Sequence, residues 1–478
     1  MTITGPQRSA QDAPAAATPD EGSRVVALCA GIVLVLYLVS ALMFGRGGTG
    51  TDMHRLQAEA FAEGHVDIRP VPDALAELSD PYDPDANRQI RRDGYHDLAY
   101  VDGRLYSSHG LTVPLLLAPA EALFGTSPEN WLITLAGCCV GFLGGVWILT
   151  QARRRFVPDL PDWATATWIL AFGLSGPIWF LCWLGNGYEA AIAVAFAFAM
   201  LGTAMALRST EPPDRLDRRW AIGGSVCFGL AIGARPSMVI TVVVLAAVAV
   251  VARQRRDRSD RRGAVGDLAA SFLPFLCLAG LIAMANWARF GSPMEFGNNL
   301  QLSIWDMANY PTDHASFIIP NLRDYLFAVP QRTAAFPWIG LRPLVEDGAP
   351  QRHSNEAIVG LVYCAPVLVV GAASAVLTGR DMWRRCRGLA AAVAVGAVAG
   401  TLALLAVAYP FNASTFRYEA DAAPFLILAS CGAWAWARRA QPSRKVLIDA
   451  CWIAAVIIGI FVTASIQFTV TEATGVRA

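Results

Sequence analysis

Ten long apolar runs separated by polar stretches dominate this chain, at 25–44, about 130–150, 163–184, 187–207, 220–252, 266–287, 356–377, 388–409, 422–437 and 446–468. A helix of roughly 20 apolar residues crosses the hydrocarbon core of a bilayer, so the pattern predicts an all-α integral membrane protein. The run at 220–252 is too long for one span and is broken by "GARPS", which predicts two helices parting near Arg235-Pro236. A shorter run, 111–124, fits either a short span or an interfacial helix. Residues 1–24, rich in Ala, Pro, Ser and Asp without periodicity, are expected to form a disordered cytoplasmic N-terminus. Val25 to Phe44 lacks a small-residue cleavage site and reads as an uncleaved first helix, so residues 25–478 form a single transmembrane domain.

The basic loops set the orientation. Arginine clusters at 153–155, 208–219, 253–262, 380–387 and 438–445 are all cytoplasmic by the positive-inside rule. The loops 45–110, 288–355 and 410–421 then lie together outside the cell membrane, provided 220–252 crosses twice and 111–124 does not cross. Loops this long inside a compact membrane protein carry function or fold as short interfacial helices. No internal repeat is visible, which counts against the inverted-repeat architecture of many transporters.

Composition sharpens this picture in three places. At 55% hydrophobic and 16% charged residues the chain is not a set of soluble domains, and a formal net charge of zero leaves no basic footprint for nucleic acid. The cysteines fall in or beside the apolar runs in no metal-knuckle spacing, so free thiols are expected. The histidines do the reverse: all six lie outside the runs, which points to the loops as the seat of chemistry.

Five segments could carry that chemistry. In "TDMHRLQAEAFAEG", Asp52 can cap a short helix that Gly64 ends, or it can take a proton from a hydroxyl acceptor with His54 and Arg55 beside it. In "DGYHDLAYVDGRLYSSHG", the Asp102-Gly103 pair predicts a tight hairpin, while His96, Asp97, Tyr106 and His109 remain as binding candidates. Their spacing matches no metal site, so a divalent metal ion stays open as a cofactor with no ligand set. Arg235 stands at the helix break, where an ionisable side chain is either a snorkelling arginine or a functional one. "NWARFGSPMEFGNNLQLS" supplies Arg289, Asn298 and Gln301; "FRYEADAAP" supplies Arg417 and Tyr418 at another membrane boundary.

Taken in order, "GTDMHRLQAEAFAEGHVDI", "DGRLYSSHGLTVPLLLAPAEALFG", "GLAIGARPS", "NWARFGSPMEFG" and "FRYEADAAP" resemble bacterial multi-spanning glycosyltransferases of the GT-C superfamily and allied membrane proteins. The resemblance implies a bundle of about ten to thirteen transmembrane helices with a catalytic acid in the first extracytoplasmic loop. It also implies a polyprenyl-phosphate-sugar donor, inverting transfer and an extracytoplasmic glycan, lipid or protein acceptor. Matched onto this sequence, Asp52 is the general base. Arg235, Arg289 and Arg417 are this sequence's own phosphate-binding candidates. His54, Arg55, His96, Asp97, Tyr106, His109, Asn298, Gln301 and Tyr418 are left to bind substrate among the membrane lipids. Asp52 is followed by Met53 rather than a second acid, which leaves metal dependence open. A transporter or flippase of a lipid-linked or anionic substrate is the alternative, but it needs charges along a path through the bilayer, and the runs hold few. A non-catalytic membrane scaffold is the third.

Overall fold

The computed structural model describes residues 19–47, 52–257, 259–309, 315–334, 336–341, 354–355, 358–409 and 413–473. The first helix, α1 (Pro19–Met43), begins inside the segment expected to be irregular; residues 1–18 lie outside the described residues, as does part of the 288–355 loop. Beyond α1 come α2 (Met53–Ala62), α3 (Asp73–Glu77), α4 (Arg88–Ile90), the strands β1 (Leu98–Val101) and β2 (Arg104–Ser107), and α5 (Thr112–Phe124). The bundle continues with α6 (Asn130–Phe156), α7 (Asp162–Leu174), α8 (Pro177–Leu184), α9 (Gly187–Ser209), α10 (Arg218–Ala234), α11 (Val242–Arg255) and α12 (Arg261–Phe290). It closes with α13 (Ala315–Phe327), α14 (Leu361–Cys364), α15 (Val367–Arg385), α16 (Arg387–Ala408), α17 (Ala423–Ala440) and α18 (Lys445–Ala473).

Among the described residues seven helices are long and apolar enough to cross a membrane. The α7–α8 pair, long and apolar enough for an eighth pass if taken as one span, is bent by 44°, because Gly176 takes φ 93° and Pro177 restarts the helix. Helices α10, α15 and α17 alternate with these passes. The chain is a multi-pass helical membrane protein.

The long run at 220–252 parts where expected. Helix α10 stops at Ala234, Arg235 is extended (φ −150°, ψ 116°), and a 3-10 turn from Pro236 leads into α11. Both ends of that pair return to the basic end of the bundle, where Arg255 donates to the Thr210 carbonyl (2.7 Å) and Arg218 pairs with Asp267 (2.8 Å). Helix α5 has only 13 residues, roughly 20 Å against a core of about 30 Å. It lies along α2 with Leu115, Leu116, Leu123 and Phe124 exposed, which is the interfacial alternative.

The polar end carries its own small core of Met53, Ile68, Leu75, Ile90, Leu98, Leu105 and Leu302, separate from the main apolar core of the bundle. Strands β1 and β2 pair antiparallel around Asp102 (φ 49°) and Gly103 (φ 75°), the hairpin the sequence predicts. Leu302 of the next long loop bonds back to β1 through the Leu98 carbonyl (2.9 Å), so two loops far apart in sequence form one cap over the bundle.

Helix α6 meets α9 through a line of glycines, the small-residue contact by which membrane helices approach closely. A Cβ on Gly137 would lie 2.7 Å from the Ala193 backbone, whereas one on Gly280 of α12 would meet nothing within 4 Å. Gly137→Val is therefore expected to lower stability by about 1–3 kcal/mol, read as a fall in the thermal midpoint of detergent-purified protein, with Gly280→Val unchanged. Equal behaviour of the two variants would contradict this packing.

Candidate functional site

Asp52 occupies the N-cap position of α2, but its side chain makes no capping bond. Its backbone carbonyl accepts from Leu56 (3.0 Å), while its carboxylate turns away from the helix. Oδ2 accepts from Arg55 Nε (2.8 Å) and Oδ1 from Asn130 Nδ2 (3.1 Å) at the start of α6. The capping expectation is thus corrected, because two side-chain donors outcompete the backbone. Gly64 (φ 80°) does lie just past the end of the helix, as expected. A carboxylate offers about four lone-pair positions, and the two used here leave others toward a cavity of about 220 Å³. Arg46, Glu129, Asn130, Trp131 and Asn186 line that cavity with Asp52. Arg55 also binds Glu59 (2.8 Å), so it is a clamp on α2.

Within the first turn of α2 the chemistry changes from polar to aromatic. His54 is fully buried and its Nε2–H donates to the Gly187 carbonyl (2.9 Å) at the start of α9. Its ring stands edge-on to His109 at 5.8 Å, and His109 stands edge-on to Tyr188 at 5.2 Å. Arg417 lies over Tyr188 (4.8 Å to the ring centre) and approaches buried Glu189 at 3.6 Å. Tyr418 then shares its ring between Arg417 (5.7 Å) and Arg235 (4.8 Å). Arg235 Nε donates to Asp421 Oδ2 (2.6 Å), which also accepts from Ser237 (2.6 Å). Arg235 Nη2 and Asp421 Oδ1 are buried without a hydrogen-bond partner among the described residues. An unbroken line of side chains therefore joins the helix of Asp52 to two arginines.

The other predicted residues are distributed around this line. Asp97, at φ 59° and largely buried, has its carboxylate 3.4 Å from His96 Nε2. Burial raises its pKa against the pull of His96, the Ser303 hydrogen bond, Arg417 and Arg91, so it faces the same cluster. A left-handed aspartate is strained and marks a position held by its surroundings. Asn298 and Gln301 bond to each other (3.3 Å), and Gln301 bridges to Ala99 of β1. Tyr106 is buried edge-on to Phe290 (5.7 Å). Arg289 does not join the arginine pair: it donates to the Ser107 carbonyl (3.3 Å) and Asn286 Oδ1 (2.7 Å), tying β2 to α12. Sequence reasoning missed Asn130, Asn186 and Tyr188. For Asn186 and Tyr188 the signal was "GNGYE" at the head of an apolar run, where polar groups gather at a helix start; Asn130, just before another run, carried none.

No three His, Cys, Asp or Glu side chains converge on a metal position among the described residues, and the carboxylate of Asp52 is matched by Arg55 and an amide.

No protein-family model and no curated protein matches the sequence. Among solved structures the chain is similar to the Archaeoglobus fulgidus oligosaccharyltransferase in its apo form, with 11% identity and a TM-score of 0.49 over 94% of this chain and 56% of that one. It is also similar to ArnT from Cupriavidus metallidurans bound to undecaprenyl phosphate, with 14% identity and a TM-score of 0.43 over 93% of this chain and 76% of that one. The chain thus spans just over half the length of the archaeal enzyme. Both scores lie below 0.5, and neither protein's chemistry is transferred to this chain on that basis.

The two central histidines carry a pH signature. Burial holds His54 down to about 4, against the Gly187 hydrogen bond and Asp52, and holds His109 down to about 3 with help from His54, Arg235 and Arg417. In the unfolded chain both imidazoles bind protons near 6.5. Between these values the unfolded state holds more protons, so stability falls as pH drops below 6.5, by about 1 kcal/mol per imidazole per pH unit. The thermal midpoint is expected to fall from neutral pH to about 5, and His109→Phe is expected to remove roughly half of that slope. A midpoint with the same slope in the variant would show that His109 does not titrate this way.

Proposed function

We propose that this protein is a membrane glycosyltransferase that moves a sugar from a polyprenyl-phosphate donor to an acceptor hydroxyl, with inversion at the anomeric carbon. The observation that carries the proposal is the continuous line from Asp52, through His54, His109 and Tyr188, to Arg417 and Arg235. It sets a carboxylate with open lone pairs at one end and guanidinium groups at the other, one of them with an N–H pair that has no partner among the described residues. Such a reaction needs those two functions on opposite sides of the sugar.

In this reading the acceptor hydroxyl enters the cavity beside Asn130 and Asn186. Asp52 takes its proton as the hydroxyl oxygen bonds to the anomeric carbon, and the bond from that carbon to the phosphate oxygen breaks. The electron pair leaves with the polyprenyl phosphate. Arg235 Nη2 meets the developing charge on the phosphate, because a guanidinium presents donors in a geometry that matches phosphate oxygens. Asp421 and Glu189 hold the two arginines in place before the donor arrives, which lowers the cost of organising them in the transition state. The neutral histidines pack between the two functions without adding charge. By the positive-inside rule the basic end faces the cytoplasm, so the site opens on the extracytoplasmic side of the cell membrane.

Purified protein in proteoliposomes, supplied with a panel of labelled polyprenyl-phosphate hexoses and pentoses, tests this reading. Asp52→Asn is expected to reduce transfer by about 100-fold or more, the usual contribution of a general base, with insertion and thermal midpoint unchanged. Arg235→Gln is expected to weaken use of the donor more than use of the acceptor. Full transfer by Asp52→Asn would sink its assigned role, and a wild-type protein that moves intact lipid across the bilayer without forming product would favour a flippase.

A further inference from the structure

At the end of the bundle opposite Asp52 lies a second cavity of about 360 Å³, within the size range of small-molecule sites. Six helices wall it, α6, α7, α9, α11, α16 and α17, and its sides are apolar, with Trp168 and Val248 among them. Its polar rim is made by Arg155 and Arg255 at the last turns of α6 and α11, and by Arg387 at the first residue of α16. Arg155 and Arg255 converge on one residue: Arg155 Nη1 donates to Thr210 Oγ1 (2.9 Å) and Arg255 Nη1 to the Thr210 carbonyl (2.7 Å). Among the described residues no acid lines the cavity. Glu211, next in sequence, is paired with Arg208, and none of the three rim arginines has a carboxylate partner among the described residues.

Arg255 Nη1 also donates to the Pro212 carbonyl (2.6 Å), so neutral oxygens alone hold the two cations close together; they repel each other, and an anion between them relieves that repulsion. An apolar chamber below and an unmatched cationic rim above together describe an amphiphile with a negative head. Basic pockets between transmembrane helices at a cytoplasmic face take anionic headgroups by this combination of Coulomb attraction and charge-assisted hydrogen bonds. We propose that this cavity is a binding site for an anionic glycerophospholipid of the leaflet at the basic end, its phosphate held by Arg155 and Arg255 and one acyl chain lying along Val251 and Leu428, over Val248 and Trp168. A free phosphate ion would leave the apolar chamber unused, and a zwitterionic lipid would bring its own cation to the rim. The site is independent of the glycosyl-transfer reading, because it shares no residue with the Asp52 end.

The test uses full-length protein purified in a neutral detergent, with lipid binding followed by native mass spectrometry. Dioleoyl phosphatidylglycerol is expected to bind at least ten-fold more tightly than dioleoyl phosphatidylcholine. Arg155→Gln combined with Arg255→Gln is expected to remove that preference, and Val248→Trp, which fills the chamber, is expected to weaken binding ten-fold while leaving the rim intact. Should the double variant fail to fold, a phosphatidylglycerol brominated on its acyl chain is expected to quench tryptophan fluorescence less in Trp168→Phe than in the wild type. Equal binding of the two lipids, full binding by Val248→Trp, or unaltered quenching in Trp168→Phe would each overturn the proposal. So would displacement of phosphatidylglycerol by inorganic phosphate or by undecaprenyl phosphate at equal concentration, which would assign the site to a different occupant.

Discussion

A guanidinium cannot be left alone where a helix breaks inside a membrane protein, and Arg235 is in that position. Helix α10 ends one residue before it, and Pro236 after it has no N–H to continue the ladder. Asp421 answers that requirement from 186 positions away in sequence, and Tyr418 covers the guanidinium from above. Removing one partner of such a buried pair leaves an uncompensated charge, at a cost of roughly 3–5 kcal/mol. The contact therefore fixes the short turn before α17 against the end of α10. Arg417, four residues before Asp421 in that turn, is carried with it to the head of α9, where Tyr188 and Glu189 receive it. His54 and His109 are placed in turn by Gly187 and Tyr188 at the head of α9, while Asn130 of α6 places Asp52.

Much of this fold is legible in the sequence, for a physical reason. Lipid accepts few backbone arrangements, so apolar length alone nearly dictates where helices lie. The runs at 187–207 and 388–409 become α9 and α16 with boundaries shifted by only one or two residues. The break at Arg235-Pro236 and the Asp102-Gly103 hairpin follow from local chemistry that no tertiary contact overrides. The bend between α7 and α8 is harder to read, because "GLSGPIW" keeps its hydrophobicity through a change of direction. Only the Gly176-Pro177 pair marks it.

The site is less legible, because long-range contacts assign its side chains. Asp52 carries every local mark of a cap, yet Asn130, 78 residues later, takes one of its oxygens. Arg289 and Arg235 look alike in sequence, each at the end of an apolar helix. One is used up on the Ser107 carbonyl and the other keeps an N–H pair open. Asn298 and Gln301 suggest sugar recognition by composition, but they bond to each other and finish the edge of β1. Residue type told where polarity gathers; it did not tell which polar groups remain available.

The two ends of the bundle handle arginine in opposite ways, and the difference bears on how long a ligand stays. At the Asp52 end Arg235 and Arg417 each face a carboxylate, so an arriving phosphate gains hydrogen bonds more than net Coulomb energy. Such a cluster is already organised and would hold an anion without trapping it, which is what the proposed transfer asks of a phosphate that leaves after every turnover. At the basic end Arg155 and Arg255 meet over Thr210 without an acid. An anion there relieves a repulsion that persists whenever the site is empty, and that favours a resident over a visitor. On the two proposals, exchanging the arrangements would trap the leaving phosphate at one end and leave the other without a ligand, so the two carboxylates beside Arg235 and Arg417 are what would separate turnover from lipid anchoring within a single bundle.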